Sequence, residues 1–261
     1  MLTALNPFYS IAGFLVGMLV GLTGVGGGSL MTPVLVLLFN FHPATAVGTD
    51  LLYASVTKTV GTFVHGKHST VDWRIVGRLA LGSLPAAAIT LIMLKTFGSL
   101  DQHTSHVLGA LLGASLILTS VSIFLRPQIL AWAEPRMRGV SDLTIARLTV
   151  LTGVLLGVLV SITSVGAGAL GVTALLMLYP KLPVARIAGS DIAHAVPLTL
   201  LAGLGHLWMA PIDFSLLIAL LFGSIPGIII GSLLGTRASD RILRPILAAT
   251  LLIVGIRLLL M

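Results

Sequence analysis

The feature that most restricts the fold of this chain is a glycine-rich stretch inside an apolar run, and the chain carries two copies of it. The first copy is GMLVGLTGVGGGSLMTP at 17–33, and the second is GVLVSITSVGAGALGVT at 157–173. A glycine inside a helix costs about 1 kcal/mol relative to alanine, so both stretches predict a helix that breaks. A break leaves unpaired N–H groups at the start of the following helix, where the helix dipole also favours an anion.

Composition places these breaks in a membrane. Apolar residues make up 56 % of the 261 residues and charged residues only 9 %, whereas a soluble domain carries about 25 % charged residues. Several apolar runs have the length of a transmembrane helix, about 20 residues. Two broken helices in one apolar chain are typical of the midplane site of a transporter. The chain lacks HExxH, GxSG and acidic metal-cluster patterns, so we expect no enzyme activity, no cofactor and no bound metal.

Apolar runs and their breakers predict ten segments in an all-α polytopic membrane protein. The segments lie at about 7–22, 29–41, 44–65, 75–94, 107–125, 145–162, 167–179, 184–208, 214–234 and 242–260. The first two segments of each half are short, which predicts a broken or re-entrant pair. We therefore expect a first transmembrane repeat at 1–125, a cytoplasmic linker at 126–143 and a second transmembrane repeat at 144–261.

The two halves also match residue by residue. Adding 140 to the first glycine stretch superposes Gly17 on Gly157, and one inserted residue makes the later offset 141, which superposes Asp50 on Asp191. Such self-similarity indicates a duplicated unit. Because five segments are an odd number, each unit ends on the side of the membrane opposite to its start. The sequence therefore predicts two inverted five-segment repeats.

Loop charges favour the same inverted arrangement. The loop after segment three carries cationic residues only in the first half, and the loop after segment two carries them only in the second half. The cationic residues of the richer loops and of the linker are Lys67, Arg74, Arg78, Arg126, Arg136, Arg138, Lys181, Arg186, Arg237, Arg241 and Arg244. If all of them are cytoplasmic, both termini lie outside. The net charge of +7 is thus interpreted as membrane anchoring, with no nucleic-acid partner.

The candidate substrate-binding residues surround the two breaks. They are Thr23, Gly24, Gly26, Gly27, Gly28, Ser29, Thr163, Ser164, Gly166, Ala167, Gly168 and, from segment three, Lys58. The half-helices that begin near Gly26 and Gly166 would direct their N–H groups at one anion near the bilayer midplane. Packing is the alternative, because the glycines between 17 and 28 also form a seam of small residues that lets helices approach closely.

Charged residues inside membrane segments suggest function, because a charge buried in lipid is costly. Asp50, Lys58 and His65 fall on one face of segment three, and Asp191 takes the position of Asp50 in segment eight, with His194 one turn later. Lys58 is interpreted as the charge that attracts the anion or as the partner of a carboxylate. Asp50, Asp191 and His194 are candidates for coupling or gating, although an aspartate near a helix start can also cap the helix.

These motifs resemble those of a known family. The stretches GLTGVGGGSLMTPVL and SITSVGAGALGVTALL, followed by AVGTD and IAGSD, are similar to those of the sulfite exporter TauE/SafE family of bacterial membrane transporters. The resemblance covers nearly the whole chain. It implies a location in the bacterial inner membrane and transport of sulfite, sulfonates or other small organic acids.

The sequence thus predicts a secondary transporter, by resemblance an exporter, that moves a small anion by alternating access around the paired half-helices. We expect the lipid bilayer as its surroundings and a proton or sodium ion as a coupling partner, with a homo-oligomer left open. An anion channel is one alternative, because half-helices also meet at the midplane of channels. A cation carrier with Asp50 and Asp191 as ligands is the other.

Overall fold

The computed structural model describes residues 7–23, 28–67, 71–97, 102–209, 212–235 and 240–260. Within these ranges the chain is all-helical. The helices are α1 (Pro7–Thr23), α2 (Gly28–Leu37), α3 (Pro43–Lys67), α4 (Trp73–Phe97), α5 (Gln102–Phe124), α6 (Arg126–Met137), α7 (Asp142–Thr163), α8 (Ala169–Leu178), α9 (Val184–Met209), α10 (Phe214–Gly235) and α11 (Asp240–Leu259). The expected all-α class is confirmed, and the ten predicted segments agree with ten of these helices to within a few residues.

Several helices have the length and composition of membrane spans. In the described ranges, five apolar stretches qualify, namely Trp73–Thr96, His106–Phe124, Asp142–Thr163, Val184–Met209 and Phe214–Gly231. By contrast, α2 and α8 have ten residues each. At 1.5 Å per residue such a helix covers about 15 Å, half of a hydrocarbon core about 30 Å thick. The expected short second segment of each half is therefore present, whereas the expectation of a short first segment is wrong for the second half, where α7 has 22 residues and the length of a full span.

The polar linker contains a helix, α6, that the apolar runs of the sequence did not predict. In α6, Arg138 pairs with Glu134 at 2.7 Å, and the Arg136 guanidinium lies 4.1 Å from the centre of the Trp132 ring. Both contacts join residues four positions apart on one helix face, where such pairs are favourable. Because α6 is mostly polar, its sequence produces no apolar run.

Glycines allow two helix pairs to pack at backbone distance. A Cβ atom on Gly17 of α1 would lie 2.9 Å from the Cα of Ser224 in α10, and one on Gly157 of α7 would lie 2.8 Å from the Cα of Ser83 in α4. Both distances are shorter than real Cβ contacts. Gly17 therefore has the packing role that the sequence left as the alternative.

Helices α3 and α9 pack against each other and run in opposite directions. Gly48 near the start of α3 faces His206 near the end of α9, with 2.9 Å between an ideal Cβ on Gly48 and the Cβ of His206. Farther along α3, Gly61 faces Ile192 near the start of α9 at 3.5 Å. The residue numbers rise on one helix as they fall on the other, which is the signature of an antiparallel pair.

The same direction holds for α5 and α11. An ideal Cβ on Gly113 would lie 3.3 Å from the Cβ of Leu258, and the Ser120 hydroxyl donates to the carbonyl oxygen of Ala248 at 2.6 Å. These contacts are likewise antiparallel. Thus α3 and α9, which share a position in the two halves of the sequence, pack against each other, and so do α5 and α11.

Helices α4 and α9 run parallel and are joined near their starts, in their interiors and near their ends. The three contacts are Asp72 with Arg186 at 3.3 Å, Ser83 with His194 at 2.7 Å, and the Lys95 ammonium 2.8 Å from the centre of the Trp208 ring. Asp72 also accepts a hydrogen bond from the Arg74 amide. That bond caps the start of α4, and an aspartate directly before an apolar segment is a usual N-cap residue.

Helix α8 folds back along α7. The hydroxyl groups of Thr149 and Tyr179 lie 2.8 Å apart, and an ideal Cβ on Gly171 would lie 3.4 Å from Leu156. Later residues of α8 therefore contact earlier residues of α7. In the second half the short pair is a hairpin, one of the two forms that the sequence left open.

Candidate functional site

The break predicted by the second glycine stretch separates α7 from α8. Ser164 follows α7 with a left-handed φ of 60°, and Gly166 and Gly168 have φ angles of 122° and 126°. L-residues with a side chain rarely adopt such angles, whereas glycine does so without steric cost. The Gly171 amide then donates to the carbonyl oxygen of Gly166 at 3.1 Å. Glycine at 166 and 168 thus shapes the turn that opens α8.

The first break is described only at its edges. Helix α1 ends at Thr23 and α2 begins at Gly28, followed by Ser29. Gly24, Gly26 and Gly27 lie outside the described residues, as do the side chains of Thr23 and Ser29. The site is therefore built here from α2, α3, α9 and the second break.

Asp50 joins the two halves of the chain. It is completely buried in α3, and its Oδ2 atom accepts hydrogen bonds from the Thr32 amide at 3.1 Å and the Thr32 hydroxyl at 2.6 Å. The same oxygen accepts a third bond from the Ser164 hydroxyl at 2.8 Å. One carboxylate thereby brings α2, α3 and the second break together.

Lys58 extends from α3 to the second break. Its side chain is buried, with 5 % of the residue surface exposed, and its Nζ atom donates to the carbonyl oxygen of Ala167 at 3.3 Å. The ammonium also interacts electrostatically with both buried carboxylates, more strongly with Asp191 than with Asp50. A cation is thus held beside the break without a directly bonded acid.

Asp191, on α9, faces the start of α8. The carboxylate, completely buried, interacts with the Gly168 backbone amide and packs against Gly171 so closely that a Cβ there would overlap it. Neither oxygen accepts a hydrogen bond of good geometry from the described residues. The start of α8, where the sequence predicted a substrate anion, therefore faces a carboxylate of the chain itself.

The remaining polar candidates have structural partners. The Nε2 atom of His194 lies 2.7 Å from the Ser83 hydroxyl, while its Nδ1 atom has no partner among the described residues. The Nε2 atom of His206 lies 2.7 Å from the carbonyl oxygen of Ser161. Thr163 donates to the carbonyl oxygen of Leu159 within its own helix at 2.8 Å. The side chain of His65 lies outside the described residues.

The structure thus brings some of the predicted residues together and adds others. Asp50, Lys58, Asp191, Ser164 and the backbone of Ala167 form one buried cluster, whereas the Thr163 hydroxyl turns back to its own helix. The sequence patterns did not identify Thr32 as a partner of Asp50 or Ser83 as the partner of His194. The signal for Ser83 is the repeat, because the offset of 141 superposes GSLP at 82–85 on GSIP at 223–226.

A charged cavity of about 690 Å³ lies where α8 ends. It is lined by residues from the starts of α4 and α7, the end of α6 and the loop after α8. Its cationic residues are Arg74, Arg78, Arg138 and Lys181, and its acidic residues are Asp72, Glu134 and Asp142. Arg78 donates to the Tyr179 hydroxyl at 3.1 Å. The cavity thus gathers cationic residues that the loop pattern assigned to one side of the membrane.

Comparison with known proteins gives consistent matches. Residues 9–258 match the family model described as Sulfite exporter TauE/SafE. The probable membrane transporter protein YjnA of Bacillus subtilis (strain 168) is 39 % identical over 249 residues, covering 95 % of this chain and 97 % of the relative. The probable membrane transporter protein YdhB of the same bacterium is 26 % identical over 250 residues, covering 94 % and 97 %.

A more distant relative extends the same pattern. The probable membrane transporter protein MJ0441 of Methanocaldococcus jannaschii is 28 % identical over 209 residues, covering 77 % of this chain and 71 % of the relative. No solved structure matches the chain significantly. These relatives are named as transporters and not as enzymes. Together with the family match across nearly the whole chain, they show that this multi-pass membrane protein belongs to the sulfite exporter TauE/SafE family of membrane transporters.

Proposed function

We propose that this protein is a secondary transporter, in the direction of export, of a small anion such as sulfite, a sulfonate or another small organic acid. The observation that carries the proposal is the buried Lys58 ammonium, which lies beside the second helix break and donates to Ala167. A buried charge with no directly bonded acid is costly in a membrane interior and suggests a function. A small anion is the partner that such an ammonium and the start of α8 would both stabilise.

Alternating access by two inverted repeats is the proposed mechanism. It is supported by the antiparallel packing of α3 on α9 and of α5 on α11, because each pair occupies equivalent positions in the two halves. It is also supported by the paired seams, in which Gly17 meets Ser224 and Gly157 meets Ser83. The repeat superposes Gly17 on Gly157 and Ser83 on Ser224, so the two seams are equivalent. If the two repeats exchanged conformations, each seam would take the geometry of the other, which gives an inward-facing and an outward-facing arrangement of similar energy.

The proposed topology puts the linker and the charged cavity in the cytoplasm of a bacterial inner membrane, with both termini outside. Helix α8 leads from the second break to the cavity, a length of about 15 Å for its ten residues at 1.5 Å per residue. Cationic residues around an opening raise the local concentration of anions. We therefore assign the cavity as the cytoplasmic vestibule through which substrate enters.

The test uses purified full-length protein and two variants that each remove one positive charge. Lys58→Met is expected to abolish the thermal stabilisation by sulfite or methanesulfonate and counterflow of the same anion in proteoliposomes. Arg147→Met removes an exposed cation from α7 and is expected to leave both measurements unchanged. Anion binding by Lys58→Met with unchanged affinity would contradict the proposal. Flux without saturation or counterflow would favour an anion channel.

A cation carrier is the second candidate, favoured by the two buried carboxylates at the breaks. The oxygens of Asp191, which have no hydrogen-bond partner of good geometry among the described residues, are ligands of the kind that sodium prefers. Replacing sodium by choline in the transport assay separates the candidates. Under the anion proposal, anion counterflow continues in choline medium without a proton gradient. A sodium-dependent carrier would show no flux in choline medium.

A further inference from the structure

Two aspartates at equivalent positions of the two halves have different surroundings. Asp50 accepts three hydrogen bonds on one oxygen, two from Thr32 and one from Ser164. Asp191 accepts none of good geometry from the described residues, although both are completely buried. Hydrogen bonds from hydroxyl and amide groups hold a carboxylate in place. Asp50 is therefore fixed, whereas Asp191 is the carboxylate that is free to change partners.

The sequence accounts for this difference. The position that corresponds to Ser164 is Gly24, which has no hydroxyl to offer Asp191. The offset of 140 pairs Thr32 with Val172, which has no hydroxyl, and the hydroxyl of the adjacent Thr173 donates to the carbonyl oxygen of Ala169 at 2.8 Å.

Lys58 has no cationic counterpart either, because Thr199 occupies the equivalent position and donates to Ala195 within α9. Lys58 therefore balances the charge of Asp191, the carboxylate with fewer hydrogen bonds. The two aspartates are not interchangeable.

Asp191 also occupies the location that suits a small anion best. Its carboxylate interacts with the Gly168 amide at the start of α8, packs on Gly171 and is the main electrostatic partner of Lys58. A helix start and an ammonium are the two groups that would stabilise a substrate sulfonate. The carboxylate and the substrate would thus compete for the same positive groups.

We propose that Asp191 is a tethered competitor of the substrate anion, and that its displacement couples the binding of one monovalent anion to the uptake of one proton. This inference rests on the proposed function. Without substrate, the Asp191 carboxylate balances the Lys58 ammonium. When the anion takes its place beside Lys58 and Gly168, the carboxylate loses its cationic partner and takes a proton from solution. The added anion and the added proton cancel, so the buried site keeps its total charge.

The surroundings contain few other groups that could take this proton. Lys58 on α3 is the charged group that interacts with Asp191, and it also interacts with Asp50 on α3 and with His194 on α9, the helix that carries Asp191. His194 is held by Ser83 of α4. The charged residues of α4 and α7 lie near the helix ends, and α8 has none; those of α4 and α7 are Arg74, Arg78, Lys95, Asp142 and Arg147.

The experiment measures the affinity for methanesulfonate as a function of pH, because this probe keeps one negative charge from mildly acidic to mildly alkaline solution. For the wild-type protein, uptake of one proton per anion predicts an affinity that falls about tenfold per pH unit on the alkaline side. Asp191→Asn is expected to bind at least as tightly and with no pH dependence. It should keep anion exchange and lose the coupling of anion flux to a proton gradient.

Two comparisons make the outcome specific. Asp50→Asn is expected to lower the thermal stability and to keep the pH dependence, and Asp213→Asn, an exposed helix cap, is expected to change neither. A pH dependence that persists in Asp191→Asn and disappears in Asp50→Asn would overturn the inference but leave the proposed function intact. Absence of anion binding to the wild type would instead contradict the proposed function.

A measurement on the wild type covers the case in which Asp191→Asn does not fold. Asp191→Ser provides a smaller neutral side chain for the same assays. In weakly buffered alkaline solution, adding methanesulfonate to the wild-type protein should raise the pH by an amount that approaches one proton per anion bound. Binding without proton uptake would overturn the inference whatever the variants do.

Discussion

The Ser164 hydroxyl donates a hydrogen bond of 2.8 Å to the Asp50 carboxylate, although 114 positions separate the two residues in the chain. Ser164 closes α7 at the second break, and Asp50 lies on α3, in the other half of the sequence. The same oxygen of Asp50 also binds Thr32 on α2. A single buried carboxylate therefore sets the position of the second break relative to the first half of the chain.

Removal of this link should loosen the break. Ser164→Ala leaves Asp50 with Thr32 alone, and loss of a hydrogen bond to a buried charged group costs about 1–3 kcal/mol. We expect a lower midpoint of thermal unfolding in detergent. Ser161→Ala is the matched control, because the buried Ser161 hydroxyl has no partner among the described residues. An equal loss of stability in both variants would show that the bond to Asp50 contributes nothing.

The seam between α4 and α7 should not tolerate a methyl group. In Gly157→Ala the new Cβ would lie 2.8 Å from the Cα of Ser83, so the helices must separate, at a cost typical of overpacking, about 1–3 kcal/mol. Gly109→Ala on α5 meets no atom within 4 Å and should be neutral or gain up to about 1 kcal/mol of helix propensity. Thermal unfolding of the two variants tests the contrast, and an equally stable Gly157→Ala would refute the seam.

The contact between Gly171 and Asp191 predicts coupling between two substitutions. A methyl group at 171 would overlap the carboxylate, so Gly171→Ala should lower both thermal stability and anion counterflow. In an Asp191→Ser background the side chain is shorter, and the added methyl group should cost much less stability. A double-mutant cycle measures the difference. Additive effects would mean that the alanine acts elsewhere.

The charged cavity predicts an effect of Arg78 on substrate capture. Arg78→Gln removes a cation that lines the cavity and donates to Tyr179, so KM for anion counterflow should rise by about 2–10-fold while the maximal rate changes little. High salt should reduce the difference, because it screens charges near the surface. Arg147→Gln, outside the cavity lining, is the control. An unchanged KM in Arg78→Gln would contradict the assignment of the cavity as the cytoplasmic vestibule.

The helices were largely predictable from the sequence, because lipid requires the backbone to satisfy its hydrogen bonds within each segment. Apolar runs therefore marked where helices lie, and the glycines at 166 and 168 marked the second break, since their φ angles require glycine. Helix α6 was not predicted. It is short and polar, and its contacts, such as that of Arg136 with Trp132, leave no apolar pattern.

The sequence by itself determined the helical membrane class, the second glycine break and the charged residues at 50, 58 and 191 inside the membrane segments. Only the tertiary structure decided how those charges are paired. The sequence repeat makes Asp50 and Asp191 equivalent, yet Asp50 accepts hydrogen bonds from Thr32 and Ser164, whereas Asp191 on α9 faces the start of α8 and interacts with Lys58. Hydrogen bonds and charge interactions depend on distances of a few ångströms between residues far apart in the chain, and only packing of the helices sets those distances.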